Sequence, residues 1–156
     1  MRKISQSEAD EWMGLARERG FVNDRGELAL GRFQVEAAAG GQLRLTFLTP
    51  LVAGTYSADL QRKTPPFLFD RTPDGRIIIP GRWWQSMFET LAALDAVPEG
   101  ERQLSAVAAR HVVVKDALLP FETDTIEMRV PDEDGAYVTH EAVPPGTVLC
   151  VNLRKA

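Results

Sequence analysis

Segments with a helical spacing of apolar residues alternate along this chain with segments that have a strand spacing. The first helical segment follows Ser5, which stands three residues before Glu8 as in a capping box, and Gly20 is a typical helix stop. Helical spacing returns over residues 82–94 and, in a shorter form, over residues 98–109. The pattern therefore predicts two helices and a shorter third one.

Strand spacing, in which apolar and polar residues alternate, marks most of the remaining chain. Residues 32–37 and 43–49 alternate on either side of a double glycine, which predicts a hairpin. Further strands are predicted in the following segments: 76–79, 110–115, 125–130, 136–143 and 147–153. Six or seven strands, largely antiparallel, with two or three helices predict an α+β fold.

One segment has no period. Residues 50–72 combine three prolines, a glycine and mixed polar side chains, and a connection of this length in a compact domain is usually functional or mobile. The length of 156 residues fits one domain with a substantial core. We therefore predict a single domain over residues 1–156 with a long mobile loop around 50–72.

Two adjacent tryptophans follow the sequence Ile-Ile-Ile-Pro-Gly at the start of the predicted second helix. Trp84 shares a helical face with Phe88 and Leu91, so we expect it in the core. Trp83 lies about 100° further round the helix, at the border of that face. It is predicted either to pack in the core or to offer a platform on which a base could stack.

The charge of the chain is unevenly distributed. Its formal net charge is −4, which argues against non-specific binding of nucleic acid through a uniformly basic surface. Residues 42–82, however, contain six basic and three acidic side chains, whereas residues 116–156 contain three basic and eight acidic ones. The first segment thus carries +3 and the second −5.

Candidate catalytic chemistry is sparse. The two histidines, His111 and His140, both lie in predicted strands and are expected to be structural, and no metalloprotease, hydrolase or phosphate-binding motif occurs. The single cysteine, Cys150, excludes an internal disulfide, and we expect it to be a small core residue. We therefore expect a non-enzymatic protein without metal or cofactor. The absence of an apolar span or secretory signal predicts a cytoplasmic location.

Three segments stand out by their order along the chain: TPLVAGT at 49–55, PFLFDRTPDGRIIIPGRWWQSMFE at 66–89 and HEAVPPGTVL at 140–149. In the second, a strand ends in Ile-Pro-Gly and opens a helix. In the third, a Glu-x-Val-x-x-Gly-Thr segment leads into a strand. This order resembles the RAMP superfamily, the RNA-binding proteins of CRISPR effector complexes, or a relative of it from a phage or another mobile element.

The resemblance implies a ferredoxin-like core, similar to that of RAMP and RRM domains, and binding of RNA or single-stranded DNA without catalysis. We therefore predict a protein that binds single-stranded nucleic acid, RNA in preference to DNA, or that assembles with a protein partner in a ribonucleoprotein complex. Cationic side chains would contact phosphates and aromatic rings would stack on bases. The candidate residues are Tyr56, Arg62, Lys63, Phe67, Arg71, Arg76, Arg82 and Trp83.

An alternative function stays open. The acidic C-terminal part would suit a protein–protein interaction or inhibitory module of a mobile genetic element, acting through an acidic surface. A homo-oligomer fits either hypothesis, and neither requires a membrane.

Overall fold

A computed structural model describes residues 1–53, 68–114, 117–120, 123–131 and 134–155. The described residues form three α-helices: α1 (Gln6–Arg19), α2 (Gly81–Ala92) and α3 (Glu99–His111). They also form nine strands: β1 (Phe33–Ala37), β2 (Gln42–Phe47), β3 (Leu51–Val52), β4 (Ile78–Ile79), β5 (Val112–Val114), β6 (Ala117–Leu118), β7 (Ile126–Pro131), β8 (Tyr137–Val143) and β9 (Val148–Lys155).

The described strands pair into antiparallel sheets. One sheet has the order β1-β2-β9-β5, a second has the order β3-β8-β7, and β4 pairs with β6. α2 packs against α3, and the two helices contact β1 and β5 of the four-stranded sheet. The main core therefore lies between these two helices and that sheet.

The hairpin of β1 and β2 shows how local sequence sets the register. Phe33 pairs with Phe47 and Val35 with Leu45, and all four side chains are buried. Gly40 has φ +73°, a backbone conformation that residues with a Cβ rarely adopt. The alternation on each strand therefore places one apolar face toward the helices, as predicted.

Helix α1 begins and ends where the sequence predicts. Ser5 accepts a hydrogen bond from the Glu8 N–H, the Glu8 carboxylate accepts one from the Ser5 N–H, and Gly20 ends the helix with φ +74°. Trp12 packs with buried residues of the three-stranded sheet. Leu15 follows Trp12 by three residues on α1, but it is 43% exposed.

Aromatic rings fill the main core. Phe33 makes edge-to-face contacts with Phe47, Trp84 and Phe88 at centroid distances of 5.8, 5.6 and 5.5 Å. Such contacts contribute about 0.5–1.5 kcal/mol each beyond their buried area. The predicted packing of Trp84, Phe88 and Leu91 on the sheet is confirmed, since all three are fully buried.

Two local predictions are wrong. Cys150 is exposed rather than a core residue, because its neighbours Leu149 and Val151 face the core and side chains alternate along β9. His111 ends helix α3 instead of lying in a strand. The helix continues through alanine-rich sequence, and the strand starts only at Val112.

The predicted α+β class is confirmed for the described residues, with three helices and antiparallel sheets. The ferredoxin-like core is not confirmed. That core has the chain order β-α-β-β-α-β, whereas both helices that pack on the four-stranded sheet lie between its second and third strands along the chain. Most of the predicted loop, residues 54–67, lies outside the described residues. Among the described residues, no helix has the length and apolar character that crossing a bilayer requires.

Candidate nucleic-acid interface

The predicted contact residues divide into two groups. Tyr56, Arg62, Lys63 and Phe67 lie outside the described residues. Arg71, Arg76, Arg82 and Trp83 are described, and they lie on the hairpin before β4 and on the first turn of α2.

The hairpin before β4 is built on the turn signature Thr-Pro-Asp-Gly. The Thr72 N–H donates to the Arg76 carbonyl at 2.8 Å, and the Gly75 N–H donates to the Thr72 carbonyl at 2.9 Å. Gly75 has φ +94°, which favours glycine. Arg71 forms a β-bridge with Ile77. The turn thus brings Arg71 and Arg76 onto neighbouring arms of one hairpin.

Arg71 is held by a buried carboxylate. Its Nη1 and Nη2 donate to the Glu141 Oε1 and Oε2 at 2.8 and 2.6 Å, a bidentate pair. The Glu141 side chain is 4% exposed and that of Arg71 is 35% exposed. Most of the charge of Arg71 is therefore compensated within the protein.

Several donors keep Glu141 ionised. Burial by itself raises the pKa of this carboxyl, but the hydrogen bonds from Arg71 and the Phe69 N–H, the positive charge of Arg71 and a hydrogen bond with Thr125 outweigh it. The net result is a pKa below the ordinary glutamate value. The same hydrogen bonds raise the pKa of Arg71, so the pair is a stable charged unit.

Arg76 and Arg82 differ in exposure. The Arg76 Nε donates to the Leu119 carbonyl at 3.1 Å, which ties this half-buried side chain to the segment after β6. Arg82 is exposed on the first turn of α2. Of these two arginines, Arg82 is thus the more exposed.

Trp83 packs in the core. It is 7% exposed, its ring lies edge-to-face on Trp84 at a centroid distance of 4.7 Å, and Phe33 lies 6.3 Å away. A Cβ placed on Gly31 would come within 3.3 Å of the Trp83 ring. Of the two predicted alternatives, core residue and stacking platform, the structure has the first. Stacking on a base would require the ring to leave this position.

Strand β8 holds the chain on both sides of residues 54–67. The Ala53 N–H donates to the Glu141 carbonyl at 2.8 Å, and the His140 Nδ1 lies 2.6 Å from the Ala53 carbonyl, so this nitrogen carries the proton. On the other side, the Phe69 N–H donates to the Glu141 Oε1 at 3.0 Å. We call His140 and Glu141 the β8 clamp. It fixes the chain on both sides of the segment that carries half of the predicted contacts.

The β8 clamp was not predicted from the sequence. His140 was expected to be structural, and its bond to Ala53 agrees with that expectation. Glu141 carried one usable signal, since it directly precedes the apolar Ala142 and Val143 at the buried end of a strand. A carboxylate in such a position needs a cationic partner.

Metal chemistry has no support here, since within the described ranges no three or more His, Cys, Asp or Glu side chains are grouped to hold a metal ion. A groove of about 570 Å³ lies elsewhere, between the N-terminal segment and strands β7 and β8. It is lined by Lys3, Ile4, Glu127, Met128, Arg129 and Thr139. None of these is a predicted contact residue.

No protein-family model matches the chain, and neither a curated protein nor a solved structure shows significant similarity to it.

Proposed function

We propose that this protein binds single-stranded nucleic acid without catalysing a reaction, with RNA preferred to DNA, alone or within a ribonucleoprotein complex. The observation that carries the proposal is the β8 clamp, which fixes Ala53 and Phe69 on either side of residues 54–67. Binding residues commonly lie on connections that a rigid scaffold positions. This connection contains two adjacent cations and two aromatic residues.

Within this proposal the predicted residues have two roles. Contact with phosphates falls to Arg62, Lys63, Arg76 and Arg82, and stacking on bases falls to Tyr56 and Phe67. Arg71 and Trp83 become supporting residues, because one is paired with Glu141 and the other is buried. Mutations can therefore test the proposed contact residues and the supporting residues separately.

The preference for RNA comes from the resemblance to the RAMP superfamily, which stays a proposal. Two of its local features agree with the structure: β4 ends at Ile79 before a Pro-Gly that opens α2, and the Gly146-Thr147 pair leads into β9. Proline cannot donate to a strand ladder, which is why the strand stops there. The proposal does not depend on a ferredoxin-like core.

Fluorescence anisotropy with labelled RNA and DNA oligomers, at about 50 mM salt and above, tests the proposal. Each phosphate neutralised by a single strand's binding site contributes about 0.7 to the slope of log affinity against log salt. The double variant Arg62→Ala, Lys63→Ala should weaken binding and reduce that slope by about 1.4, twice the single-phosphate value.

The matched control removes the same charge elsewhere. Arg17→Ala, Arg19→Ala changes two cations in the last turn of α1 and should leave both affinity and slope unchanged. An absence of binding by the unaltered protein at micromolar concentration would reject the proposal. Equal weakening by both double variants would reduce it to a general charge effect.

A second candidate function has its own observation. Tyr137 is 66% exposed at the start of β8, next to the acidic loop that includes Asp134. Exposed aromatic residues are common at protein interfaces, so this hairpin could be the contact surface of a protein–protein interaction module. If the purified protein carries a protein partner and no nucleic acid, and Tyr137→Ser releases that partner, this second function takes precedence.

A further inference from the structure

Arg32 occupies a fixed position just before β1. Its N–H donates to the Thr49 Oγ1 at 2.8 Å, and its carbonyl accepts hydrogen bonds from the Leu48 and Thr49 N–H groups at 2.9 and 3.2 Å. Thr49 is fully buried. The backbone at Arg32 is therefore held firmly, and the side chain projects from a rigid base.

The guanidinium of Arg32 has no counter-ion among the residues that the structure describes. Its Nη1 lies 3.9 Å from the Sδ of Met87 on α2, a weak acceptor. Its Nε is buried and has no hydrogen-bond partner. Among the described ion pairs, none includes Arg32. Burial lowers the pKa of this guanidinium. Arg32 is therefore a partly buried cation whose described surroundings stabilise its charge only weakly.

A second arginine, Arg102, has a similarly buried Nε but does have a counter-ion. Arg102 also has a buried Nε without a hydrogen-bond partner, but its Nη1 lies 3.9 Å from the Oδ1 of Asp95. Its charge is thus partly compensated. A desolvated charge without a partner is costly. That cost is offset when an anion binds, which makes Arg32 a candidate for recognition of a ligand.

The surroundings of Arg32 indicate which anion would bind. The preceding residue, Gly31, packs against Trp83 and Met87 on α2. Arg82, an exposed cation, precedes Trp83 in the same helix. Arg32, far away in sequence, therefore contacts through Met87 the same helix that carries Arg82, one of the proposed phosphate contacts.

We propose that Arg32 binds a phosphate group, which the backbone of the bound single strand supplies. The inference rests on the proposed function and adds a contact that lies outside the basic segment 42–82. The Nη atoms are the donors, since a planar guanidinium matches the oxygens of a phosphate. The bound phosphate then provides the counter-ion that the described residues do not supply.

Affinity and salt dependence of an oligonucleotide test the contact. Arg32→Ala should weaken binding about tenfold, as expected for loss of a hydrogen bond to a charged group, and should reduce the salt slope by about 0.7. Arg32→Lys should restore the slope but only part of the affinity, because lysine keeps the charge and loses the planar donors. Arg25→Ala, in the exposed turn after α1, is the charge-matched control and should bind like the unaltered protein.

The outcomes separate this inference from the proposed function. If the unaltered protein binds the strand and Arg32→Ala binds equally well with the same slope, the inference is wrong and the function stands. If the unaltered protein binds no strand, the function fails, and inorganic phosphate then decides about Arg32. A melting temperature that is higher in sodium phosphate than in sodium chloride of equal ionic strength, and that loses this increase in Arg32→Ala, supports the phosphate site.

An equal melting temperature in both salts rejects the phosphate site. A third outcome also overturns the proposal: poly-glutamate binds in a manner that depends on Arg32, while oligonucleotides and inorganic phosphate do not. Arg32 would then recognise a carboxylate of a protein partner. Far-ultraviolet circular dichroism of each variant should match that of the unaltered protein, which shows that the comparison is between folded proteins.

Discussion

Two partly buried arginines of this protein stand in opposite electrostatic surroundings. Arg71 shares two hydrogen bonds with the buried carboxylate of Glu141, at 2.8 and 2.6 Å. Arg32 has a sulfur atom at 3.9 Å as its described side-chain partner. The pKa of Arg71 is accordingly raised by its hydrogen bonds, and that of Arg32 is lowered by burial. The charge of Arg71 is thus stabilised by its partner, and the charge of Arg32 is disfavoured by desolvation.

The two arginines also differ in the structural elements that they connect. Arg71 and Glu141 join the hairpin before β4 to strand β8, and Glu141 additionally accepts a hydrogen bond from the Phe69 N–H. Removal of either partner should loosen the β8 clamp. The described contact of the Arg32 side chain with another element is the weak one to Met87, so replacement of this side chain should leave the fold intact.

The largest expected effect follows from removal of the cation of the pair. Arg71→Met leaves the Glu141 carboxylate buried without its charge partner, which typically costs 3–5 kcal/mol. We expect about 3 kcal/mol, the lower end of that range, because the Arg71 side chain is 35% exposed and water screens the pair. Urea unfolding measures the loss.

A double variant is the control. Arg71→Met, Glu141→Leu removes both charges and should recover most of the lost stability, since apolar pairs can replace buried ion pairs. A loss of stability below about 1 kcal/mol for Arg71→Met alone would fall in the range measured for exposed ion pairs. It would show that the pair contributes no more than a surface salt bridge.

A smaller effect is expected when the carboxylate is removed instead. Glu141→Gln leaves Arg71, which is 35% exposed and can be hydrated, and the amide oxygen can still accept a hydrogen bond. The expected loss is about 1.5 kcal/mol, the low end for hydrogen bonds to charged groups. Urea unfolding of both variants should therefore rank Arg71→Met below Glu141→Gln in stability. The reverse order would mean that water reaches Glu141 more easily than Arg71.

The depressed pKa of Glu141 gives this pair a dependence on pH. The pKa of this carboxyl is lower in the folded protein than its ordinary value of 4.5. The stabilisation is therefore fully present above pH 4.5 and is lost as the pH falls through the lower folded value. The difference in melting temperature between the unaltered protein and Glu141→Gln should be constant from pH 7 to about pH 5 and shrink below it. A constant difference down to pH 3, more than a unit below the ordinary value, would contradict the shift.

The sequence predicted those structural elements that depend on residues close to one another in the chain. The capping box at Ser5 and Glu8, the stop at Gly20 and the hairpin around Gly40 each depend on residues a few positions apart. Cys150 was placed wrongly because β9 is apolar on both faces near its start, where Val148 and Cys150 alternate with buried neighbours. Alternation separates two faces of a strand, but it does not say which face the helices cover.

The candidate site was less predictable because its contacts are distant along the chain. Arg71 and Glu141 are 70 positions apart, and Arg32 and Met87 are 55 positions apart. Counting charges in the segment 42–82 gave Arg71 the same role as the other cations of that segment, although a buried carboxylate holds it. Whether a cation is compensated is a property of the tertiary structure, so a charge count could not reveal it.

The smallest effect is expected for Arg32→Met. The sign of the change in its free energy of unfolding is the informative result. Arg32→Met removes a desolvated charge without breaking an ion pair of the described residues, and it keeps an unbranched side chain that can pack against Met87. Replacing a poorly compensated buried charge by an apolar residue is often neutral or stabilising. We expect a change between 0 and about +1 kcal/mol in the free energy of unfolding, measured by urea unfolding without ligand. Arg25→Met, at an exposed position, should change stability by less than about 0.5 kcal/mol and serves as the control. A clear loss of stability in Arg32→Met would mean that packing of the arginine stem outweighs the desolvation cost of its charge. Both arginines would then stabilise the fold, by different amounts.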